Sequence, residues 1–300
     1  RSDRLALIAR LENGARKSLT YNELFDQVSE CAAGLRQLGV VSGDRVAGFM
    51  PNIPETIVAM LATASIGAIW SSCSPDFGIN GVMDRFGQIE PKVLFGCDGY
   101  FYNGKTIDTL PRLKAICSNI ESIEQLVVVP VIQDAVAVDG FGNAILFHDF
   151  LSAHRGAELF CEQLPFNHPL YIMYSSGTTG APKCIVHSAG GTLIQHLKEH
   201  QLHVDLKPSD RLFYFTTCGW MMWNWLVSGL ASGATLVLYD GSPFYPDAKA
   251  LIDLVEAEQV SIFGTSAKYL SALEKAGVKP EKTHDLRPLR TILSTGSPLS

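Results

Sequence analysis

The sequence lacks any run of basic residues, and this absence limits which partners the protein can bind. It carries 24 Lys and Arg residues against 30 Asp and Glu residues, which gives a formal net charge of −6 at pH 7. Nucleic-acid-binding domains show the opposite balance, because their basic residues neutralise the phosphate backbone. We therefore expect small-molecule partners and no nucleic acid, and any phosphate group must be held by a local site.

Cysteine is present, but never in the spacing that builds a disulfide framework or a zinc site. Neighbouring cysteines among the seven differ by at least 20 positions, and no C-x-x-C pair occurs. An odd number of scattered cysteines is typical of buried thiols in a reducing compartment. A charged-then-apolar leader is also missing before Leu5. We therefore expect a cytoplasmic location.

Two apolar stretches need an explanation other than a membrane span. Residues 212–239 carry no formal charge, and they exceed the roughly 20 residues that a transmembrane helix needs. Their middle is rich in Thr, Gly, Ser and Asn, however, and both ends are β-rich. This pattern predicts a strand, an aromatic loop, a short helix and a second strand. Residues 56–70 are too short for a span and predict one buried helix packed on a sheet, so we expect no membrane partner.

Short β-branched or aromatic runs alternate with helical patterns along the chain. We predict strands at residues 45–50, 92–96, 125–129, 170–174, 211–215, 235–239, 260–264 and 290–294, and helices at residues 248–258 and 266–275. This alternation predicts an α/β protein with largely parallel sheets. Residues 138–164 are the least regular part. We therefore divide the chain into a first α/β subdomain, residues 1–160, and a second, residues 161–300.

The most informative stretch combines glycines, hydroxyls and one lysine directly after a predicted strand. Its candidate phosphate-binding residues are Ser175, Ser176, Gly177, Thr178, Thr179, Gly180 and Lys183. Glycines let successive backbone N–H groups converge on an anion, and hydroxyls add donors or reach a phosphate-bound Mg²⁺. The stretch is not a P-loop, which requires G-x-x-x-x-G-K-[ST], because Cys184 follows the lysine. A flexible turn is the alternative interpretation.

This stretch is similar to the phosphate-binding signature of the acyl-adenylate-forming superfamily, which includes acyl-CoA synthetases, luciferases and peptide-synthetase adenylation domains. Further matching stretches follow the order of that superfamily, at residues 19–24, 59–70 with 74–76, and 293–298. The resemblance spans essentially the whole chain and implies two stacked three-layer α/β subdomains. It also implies a small C-terminal domain beyond Ser300 that carries the lysine promoting adenylation. We therefore assign no catalytic residue within the chain.

The resemblance implies a reaction with ATP, Mg²⁺ and CoA. A carboxylate attacks the α-phosphate of ATP and expels pyrophosphate, and the acyl group of the resulting adenylate passes to CoA. The phosphate-binding residues then hold pyrophosphate, with Thr178 or Thr179 near Mg²⁺. Gly296, Ser297 and Pro298 match the turn against the adenine ring, although many relatives have an acidic residue at position 297. Lys105 is the candidate CoA contact, in a region where relatives often have arginines.

The aromatic loop within residues 212–239 supplies a candidate acid-binding pocket. Three of the four tryptophans lie at positions 220, 223 and 225. Aromatics and methionines are more often core than ligand-binding residues. The resemblance to short-chain acyl-CoA synthetases, however, implies that this segment lines the acyl pocket. The candidates are Trp220, Met221, Met222, Asn224 and Thr295, and their bulk implies a small acid.

Residues 174–187, 219–225, 239–243 and 292–299 together resemble the branch of the superfamily that acts on acetoacetate. The distal ketone of acetoacetate accepts a hydrogen bond, and the expected donor is Asn224 or the indole N–H of Trp220 or Trp223. We therefore predict an AMP-forming acid–thiol ligase for acetoacetate. The alternatives are an acetyl- or propionyl-CoA synthetase, a non-catalytic nucleotide-binding module, and a P-loop kinase or ATPase, which the missing G-K-[ST] disfavours.

Three histidines, His196, His200 and His203, fall at i, i+4 and i+7 of a predicted helix. This spacing can place the imidazoles on one face, as a metal site requires. Glu199 does not complete an H-E-x-x-H pattern, however, and the neighbouring apolar residues suffice for an amphipathic surface helix. We favour the surface helix.

Overall fold

The computed structural model describes residues 2–138, 140–175 and 180–299. The strands are β1 (Leu5–Leu11), β2 (Arg16–Thr20), β3 (Arg45–Phe49), β4 (Ile69–Cys73), β5 (Val93–Cys97), β6 (Gly99–Tyr102), β7 (Lys105–Asp108), β8 (Gln125–Val129), β9 (Ala144–Leu146), β10 (Pro169–Tyr174), β11 (Cys184–Ser188), β12 (Arg211–Tyr214), β13 (Thr235–Asp240), β14 (Ile262–Ser266) and β15 (Thr291–Thr295). The α-helices are α1 (Tyr21–Gln37), α2 (Pro54–Ser65), α3 (Ile79–Ile89), α4 (Leu110–Asn119), α5 (Phe147–Ser152), α6 (Ala189–Lys198), α7 (Met221–Ser228), α8 (Ala250–Ala257), α9 (Ala267–Lys275) and α10 (Pro280–Thr283). All eight predicted strands are present, each within two residues of its predicted ends.

Two large sheets organise these elements. The six-stranded sheet has the order β15-β14-β12-β13-β1-β2, and the seven-stranded sheet has the order β11-β10-β4-β3-β5-β8-β9. Neighbouring strands run parallel in both sheets, except for the antiparallel pairs β1–β2 and β10–β11. Strands β6 and β7 form a separate hairpin. The predicted α/β class with largely parallel sheets is therefore confirmed.

Each large sheet contains strands from both sides of residue 160. Strands β1 and β2 belong to the six-stranded sheet, with strands that begin at residue 211 or later. Strands β10 and β11 belong to the seven-stranded sheet, with strands that end by residue 146. The sheets therefore do not correspond one to one with residues 1–160 and 161–300, and the division there stays a prediction.

The predicted helix over residues 56–70 is wrong at its C-terminal end. Helix α2 ends at Ser65, and Trp70 lies in β4, between β3 and β10. Gly67 explains the break, because its φ of +72° is a left-handed conformation that glycine adopts without strain and that ends a helix. The β-branched and aromatic residues that follow then enter the sheet.

Residues 212–239 form β12, an aromatic loop, α7, a 3₁₀ turn and β13, which is the predicted arrangement. In the part of the chain that the structure describes, no helix is long and apolar enough to cross a bilayer.

The stretch at residues 19–24 begins helix α1. Thr20 Oγ1 accepts the backbone N–H of Glu23 at 3.2 Å, and the Glu23 carboxylate accepts the backbone N–H of Thr20 at 2.7 Å. This capping box satisfies two donors at a helix start that would otherwise be unpaired. The pKa of Glu23 is lowered by the Thr20 backbone N–H and by the Thr20 hydroxyl, which donates to the same carboxylate at 2.9 Å. The stretch therefore has a structural role at the edge of the six-stranded sheet.

The prediction that the cysteines are buried holds at four of the seven positions, since Cys117 is half-buried and two others are exposed. All seven carry free thiols, but Cys161 and Cys184 are exposed. Cys161 lies in an irregular connection, and Cys184 lies on the edge strand β11, whose first three residues are exposed. Burial cannot be predicted from residue type at such an edge. The cytoplasmic location stays a prediction.

Candidate active site

The candidate phosphate loop connects two antiparallel strands. Tyr174 at the end of β10 lies opposite Cys184 at the start of β11, so residues 175–183 form a hairpin connection. At its base, Ser175 N–H donates to Lys183 O at 3.0 Å, and Lys183 N–H donates to Ser175 Oγ at 3.2 Å. Four predicted phosphate-binding residues lie outside the described residues: Ser176, Gly177, Thr178 and Thr179. A P-loop instead leads from a strand into a helix.

Helix α3 supports the described end of this loop. Gln88 Nε2 donates to Pro182 O at 2.8 Å, and Cys184 Sγ lies 3.7 Å from Gln88 Oε1. Gly180 and Lys183 are exposed, so both are accessible to a ligand in solution. Sequence reasoning missed Gln88, because an exposed glutamine on a polar helix face carries no local signal that it contacts a loop 94 residues away.

Strand β4 connects the phosphate loop to the aromatic loop. Ser71 Oγ lies 3.0 Å from the hydroxyl of Tyr174, the residue before Ser175. The next residue, Ser72, donates to Cys218 O at 2.7 Å, at the start of the aromatic loop. Burial raises the pKa of the Tyr174 phenol well above its ordinary value, which keeps it protonated as a hydrogen-bonding group. Two adjacent serines thus fix both candidate regions against the seven-stranded sheet.

Four of the five predicted pocket residues line one cavity of about 320 Å³. The lining residues are Tyr214, Phe215, Thr216, Thr217, Trp220, Met221, Met222, Thr265, Ser266 and Thr295. We call this space the acid cavity. Trp220 is 63% exposed, whereas Met221 and Met222 are half-buried. A larger cavity of about 470 Å³ lies elsewhere in the structure, and none of the predicted site residues line it.

Asn224, the fifth predicted residue, lines a different cavity of about 180 Å³ together with Tyr171 and His196. Its Nδ2 lies 3.5 Å from Met173 Sδ. Trp223 is also unavailable as a ketone donor, because its buried indole N–H donates to Asn52 Oδ1 at 2.9 Å. The prediction that Trp223 can donate to a substrate is therefore wrong. Helix α7 directs the side chains of successive residues to different sides, which its sequence alone did not reveal.

One wall of the acid cavity is formed by Tyr214 and Thr295, whose hydroxyls lie 2.9 Å apart. Tyr214 ends β12 and Thr295 ends β15, and β14 lies between these two strands. The ring of Tyr214 covers Gly264 of β14, where an added Cβ would come within 2.0 Å of the ring. Burial raises the pKa of Tyr214, although the hydrogen bond with Thr295 acts in the opposite direction. The phenol therefore stays protonated at neutral pH.

The predicted adenine-binding turn begins where the acid cavity ends. Gly296, Ser297 and Pro298 follow Thr295 directly and are exposed. Because Thr295 also lines the acid cavity, the predicted acid-binding and nucleotide-binding segments meet at this residue. Parallel strands place ligand sites at their carboxyl ends, and both segments lie at such an end.

A protein-family model described as AMP-binding enzyme matches residues 1–300. The chain belongs to the AMP-binding enzyme family.

Several relatives of this AMP-binding enzyme are named acetoacetyl-CoA synthetases. The chain is 57% identical over 296 residues to an acetoacetyl-coenzyme A synthetase of Rhizobium meliloti, covering 98% of this chain and 45% of the relative. It is 53% identical over 304 residues to acetoacetyl-CoA synthetase of Mus musculus, covering 99% and 45%. A solved acetoacetyl-CoA synthetase from Streptomyces lividans matches with a TM-score of 0.94 and 46% identity, covering 99% of this chain and 45% of that chain. This match confirms the predicted adenylate-forming fold, and the chain spans about 45% of the length of these relatives.

The CoA candidate of this AMP-binding enzyme, Lys105, does not line the acid cavity. It begins β7 and is exposed at the tip of the β6–β7 hairpin. Glu12 holds this tip, because its carboxylate accepts the backbone N–H groups of Asn103 at 2.8 Å and Gly104 at 2.7 Å. The proposed CoA contact of Lys105 stays a prediction.

Of the histidines at positions 196, 200 and 203 of this AMP-binding enzyme, only the first two approach a common atom. His196 Nδ1 and His200 Nε2 lie 2.9 and 3.0 Å from Ser228 Oγ, and both histidines are buried. His203 is exposed. Burial and the neighbouring His200 lower the pKa of His196 to about 4. Among residues 2–138, 140–175 and 180–299, no group of three or more His, Cys, Asp or Glu side chains is arranged to hold a metal ion.

Proposed function

We propose that the protein, in its full length, is an AMP-forming ligase that converts acetoacetate, ATP and CoA into acetoacetyl-CoA, AMP and pyrophosphate. In the first half-reaction, a carboxylate oxygen of acetoacetate attacks the α-phosphorus of ATP, and the bond to the β-phosphate oxygen breaks. In the second, the sulfur of CoA attacks the acyl carbon, loses its proton and expels AMP. Both steps use only the three named substrates.

The observation that carries this proposal is the acid cavity together with Thr295, which the cavity shares with the start of the predicted adenine-binding turn. The cavity of about 320 Å³ suits a small acid, and Thr295 connects it to the exposed turn at residues 296–298. An acid bound there has its carboxylate next to the proposed nucleotide site, which is the arrangement that in-line attack needs. Membership of the AMP-binding family and the names of the relatives support the same reaction.

The proposed ligand of the candidate phosphate loop is pyrophosphate, the leaving group of the first half-reaction. Lys183 is exposed at the loop's end and supplies a positive charge for departing pyrophosphate. The Mg²⁺ that accompanies ATP is proposed at Thr178 or Thr179, which lie outside the described residues. Lys105 remains the proposed CoA contact.

Acid-dependent pyrophosphate release tests this function. The full-length protein is given ATP, Mg²⁺ and one of four acids: acetoacetate, acetate, propionate or butyrate, with an acid-free reaction as the control. We expect the highest kcat/KM with acetoacetate and, on adding CoA, acetoacetyl-CoA in amounts equal to the AMP formed. A clear preference for acetate or propionate assigns the protein to the alternative synthetases. If no acid stimulates pyrophosphate release, the remaining alternative is a non-catalytic nucleotide-binding module.

A further inference from the structure

Six residues around the acid cavity carry hydroxyl groups, and four of these hydroxyls already have protein partners. Tyr214 and Thr295 bond to each other at 2.9 Å. Thr216 Oγ1 donates to the backbone oxygen of Thr217 at 3.4 Å. Ser266 Oγ accepts a backbone N–H from the first turn of α9 at 3.2 Å. Each of these four hydroxyls therefore has at least one partner within the protein, although Ser266 Oγ only accepts and keeps its own proton.

The other two hydroxyls belong to Thr217 and Thr265. Both oxygens are buried, and neither has a hydrogen-bond partner among the described residues. Thr265 is only 1% exposed. A buried hydroxyl without a partner has given up its bonds to water and gained nothing in return, so it needs an explanation. Both residues line the acid cavity, which makes a ligand in that cavity a candidate partner for these hydroxyls.

The sheet brings these two residues to the same edge. Strands β12 and β14 are parallel neighbours, with Tyr214 opposite Gly264. Thr265 follows Gly264 directly, and Thr217 lies three residues beyond Tyr214. Both therefore lie at the carboxyl end of adjacent parallel strands, where open α/β sheets bind ligands.

We propose that the hydroxyls of Thr217 and Thr265 donate hydrogen bonds to the 3-keto oxygen of acetoacetate and so select it over saturated acids. A ketone oxygen has two lone pairs and accepts both bonds, whereas each hydroxyl has one proton to give. Of the three donors expected from the sequence, Trp223 bonds to Asn52 and Asn224 lines another cavity, whereas Trp220 lines the acid cavity but is 63% exposed to solvent. This inference rests on the proposed function, since it names how that site recognises its acid.

Butyrate is the informative competitor, because it has the same chain length with a methylene in place of the ketone. When butyrate is bound, both hydroxyls lack a hydrogen-bond acceptor and have no access to water. A site built to hydrogen-bond a polar group rejects the analogue that lacks this group more strongly than a purely apolar pocket discriminates by size. The two hydroxyls therefore affect the preference for acetoacetate over butyrate.

The test is the ratio of kcat/KM for acetoacetate to kcat/KM for butyrate, measured as acid-dependent pyrophosphate release by the full-length protein. Thr217→Val and Thr265→Val remove one hydroxyl each with little change in shape. We expect each to lower the ratio roughly 3- to 10-fold, and the double variant more, because a neutral hydrogen bond contributes about 0.5–1.5 kcal/mol. Thr217→Ser and Thr265→Ser keep the hydroxyl and should keep the ratio within about 2-fold.

Thr63→Val is the matched control. Thr63 is buried in α2, outside the acid cavity, and donates to Ala59 O at 2.7 Å. Its loss tests the general effect of deleting a buried hydroxyl, and the ratio should not change. The ratio does not depend on the fraction of active protein, so a partly unfolded variant is still informative. Thr217→Ala and Thr265→Ala replace any valine variant that does not fold.

Each outcome decides the inference. Valine or alanine variants that keep the wild-type ratio, or lose both activities in parallel, overturn the role of the hydroxyls while leaving the proposed function intact. A wild-type protein that shows no preference for acetoacetate over butyrate overturns the proposed function and this inference with it. A ratio that falls in the valine variants and recovers in the serine variants supports it.

Discussion

The hydroxyl of Tyr214 lies 2.9 Å from Thr295 Oγ1, and this contact crosses over a glycine on the strand between them. The intervening residue is Gly264, over which the phenol ring lies. A side chain there would occupy the space of the ring. One wall of the acid cavity therefore depends on the absence of a single Cβ atom.

Gly264→Ala should displace the Tyr214 ring and separate it from Thr295. The added Cβ would come within 2.0 Å of the ring, so the ring must move. Overpacking of this kind costs about 1–3 kcal/mol of unfolding free energy. Urea denaturation measures this loss, and kcat/KM for the acid should fall as well. Gly87→Ala on helix α3 is the control, because a Cβ added at this position has no neighbouring atom within 4 Å. Its effect on the free energy of unfolding should be neutral or slightly stabilising. Equal stabilities for both variants would contradict this prediction.

Asn52 and Trp223 should show energetic coupling. The indole N–H donates to Asn52 Oδ1 at 2.9 Å, and both residues are 0% exposed. Trp223→Phe leaves a buried acceptor unpaired, and Asn52→Ala leaves a buried donor unpaired, so each should cost about 1–3 kcal/mol. The double variant should be destabilised by less than the sum of the two single variants, because the first substitution has already broken the hydrogen bond that the second would break. Strict additivity in urea denaturation would show that this hydrogen bond does not stabilise the fold.

Acid should destabilise the protein through His196. Its pKa in the folded state is lowered to about 4 by burial, whereas an unfolded histidine titrates near 6.5. Between these values the unfolded state binds the additional proton. The contribution of His196 to stability is therefore complete above about pH 6.5 and declines as the pH falls towards 4, with a slope of at most about 1.4 kcal/mol per pH unit.

Subtracting the pH profile of His196→Asn from that of the wild type isolates this contribution, because other groups titrate in both proteins. His148→Asn is the control, since the His148 side chain is 82% exposed and should leave the profile unchanged. A His196→Asn profile parallel to that of the wild type between pH 4 and 6.5 would show that burial does not control this imidazole.

Lys183→Ala should slow the first half-reaction far more than other lysine substitutions. Lys183 closes the candidate phosphate loop by its backbone contact with Ser175, and its side chain is exposed. Removing a charge that stabilises a leaving group costs about 10- to 1,000-fold in rate. Acid-dependent pyrophosphate release measures the loss. Lys114→Ala, an exposed lysine on α4, should match the wild type. If both variants retain full rates, Lys183 does not contact pyrophosphate.

Features encoded over short distances along the chain were predictable. The strand at residues 125–129 was predicted at the bounds of β8, because a run of β-branched residues favours a strand and is visible in the local sequence. The strand at residues 260–264 was displaced by two residues, since strand ends depend on the partner strand. The helix break at Gly67 was missed, although a glycine inside an apolar run was its signal.

Features that depend on distant partners were not predictable. The role of Trp223 is decided by Asn52, which lies 171 residues away in the sequence. The contact of Gln88 with Pro182 spans 94 residues. Hydrogen-bond donors are recognisable from residue type, but whether each is free for a ligand depends on which acceptor the fold places beside it. From sequence alone, the assignment of Asn224 to the acid pocket and the choice of Trp223 as a ketone donor therefore could not be checked.

The sequence by itself determined the family and the candidate phosphate loop, because strand-forming runs and the glycines, hydroxyls and lysine after residue 174 are properties of neighbouring residues. Only the tertiary structure decided which side chains surround the acid cavity. It placed Tyr214, Thr265 and Thr295 from three separate strands around one cavity and gave the hydroxyls of Thr217 and Thr265 no partner among the described residues. The physical reason is that burial and hydrogen-bond satisfaction arise between residues far apart in the chain, and they exist only once the strands have packed.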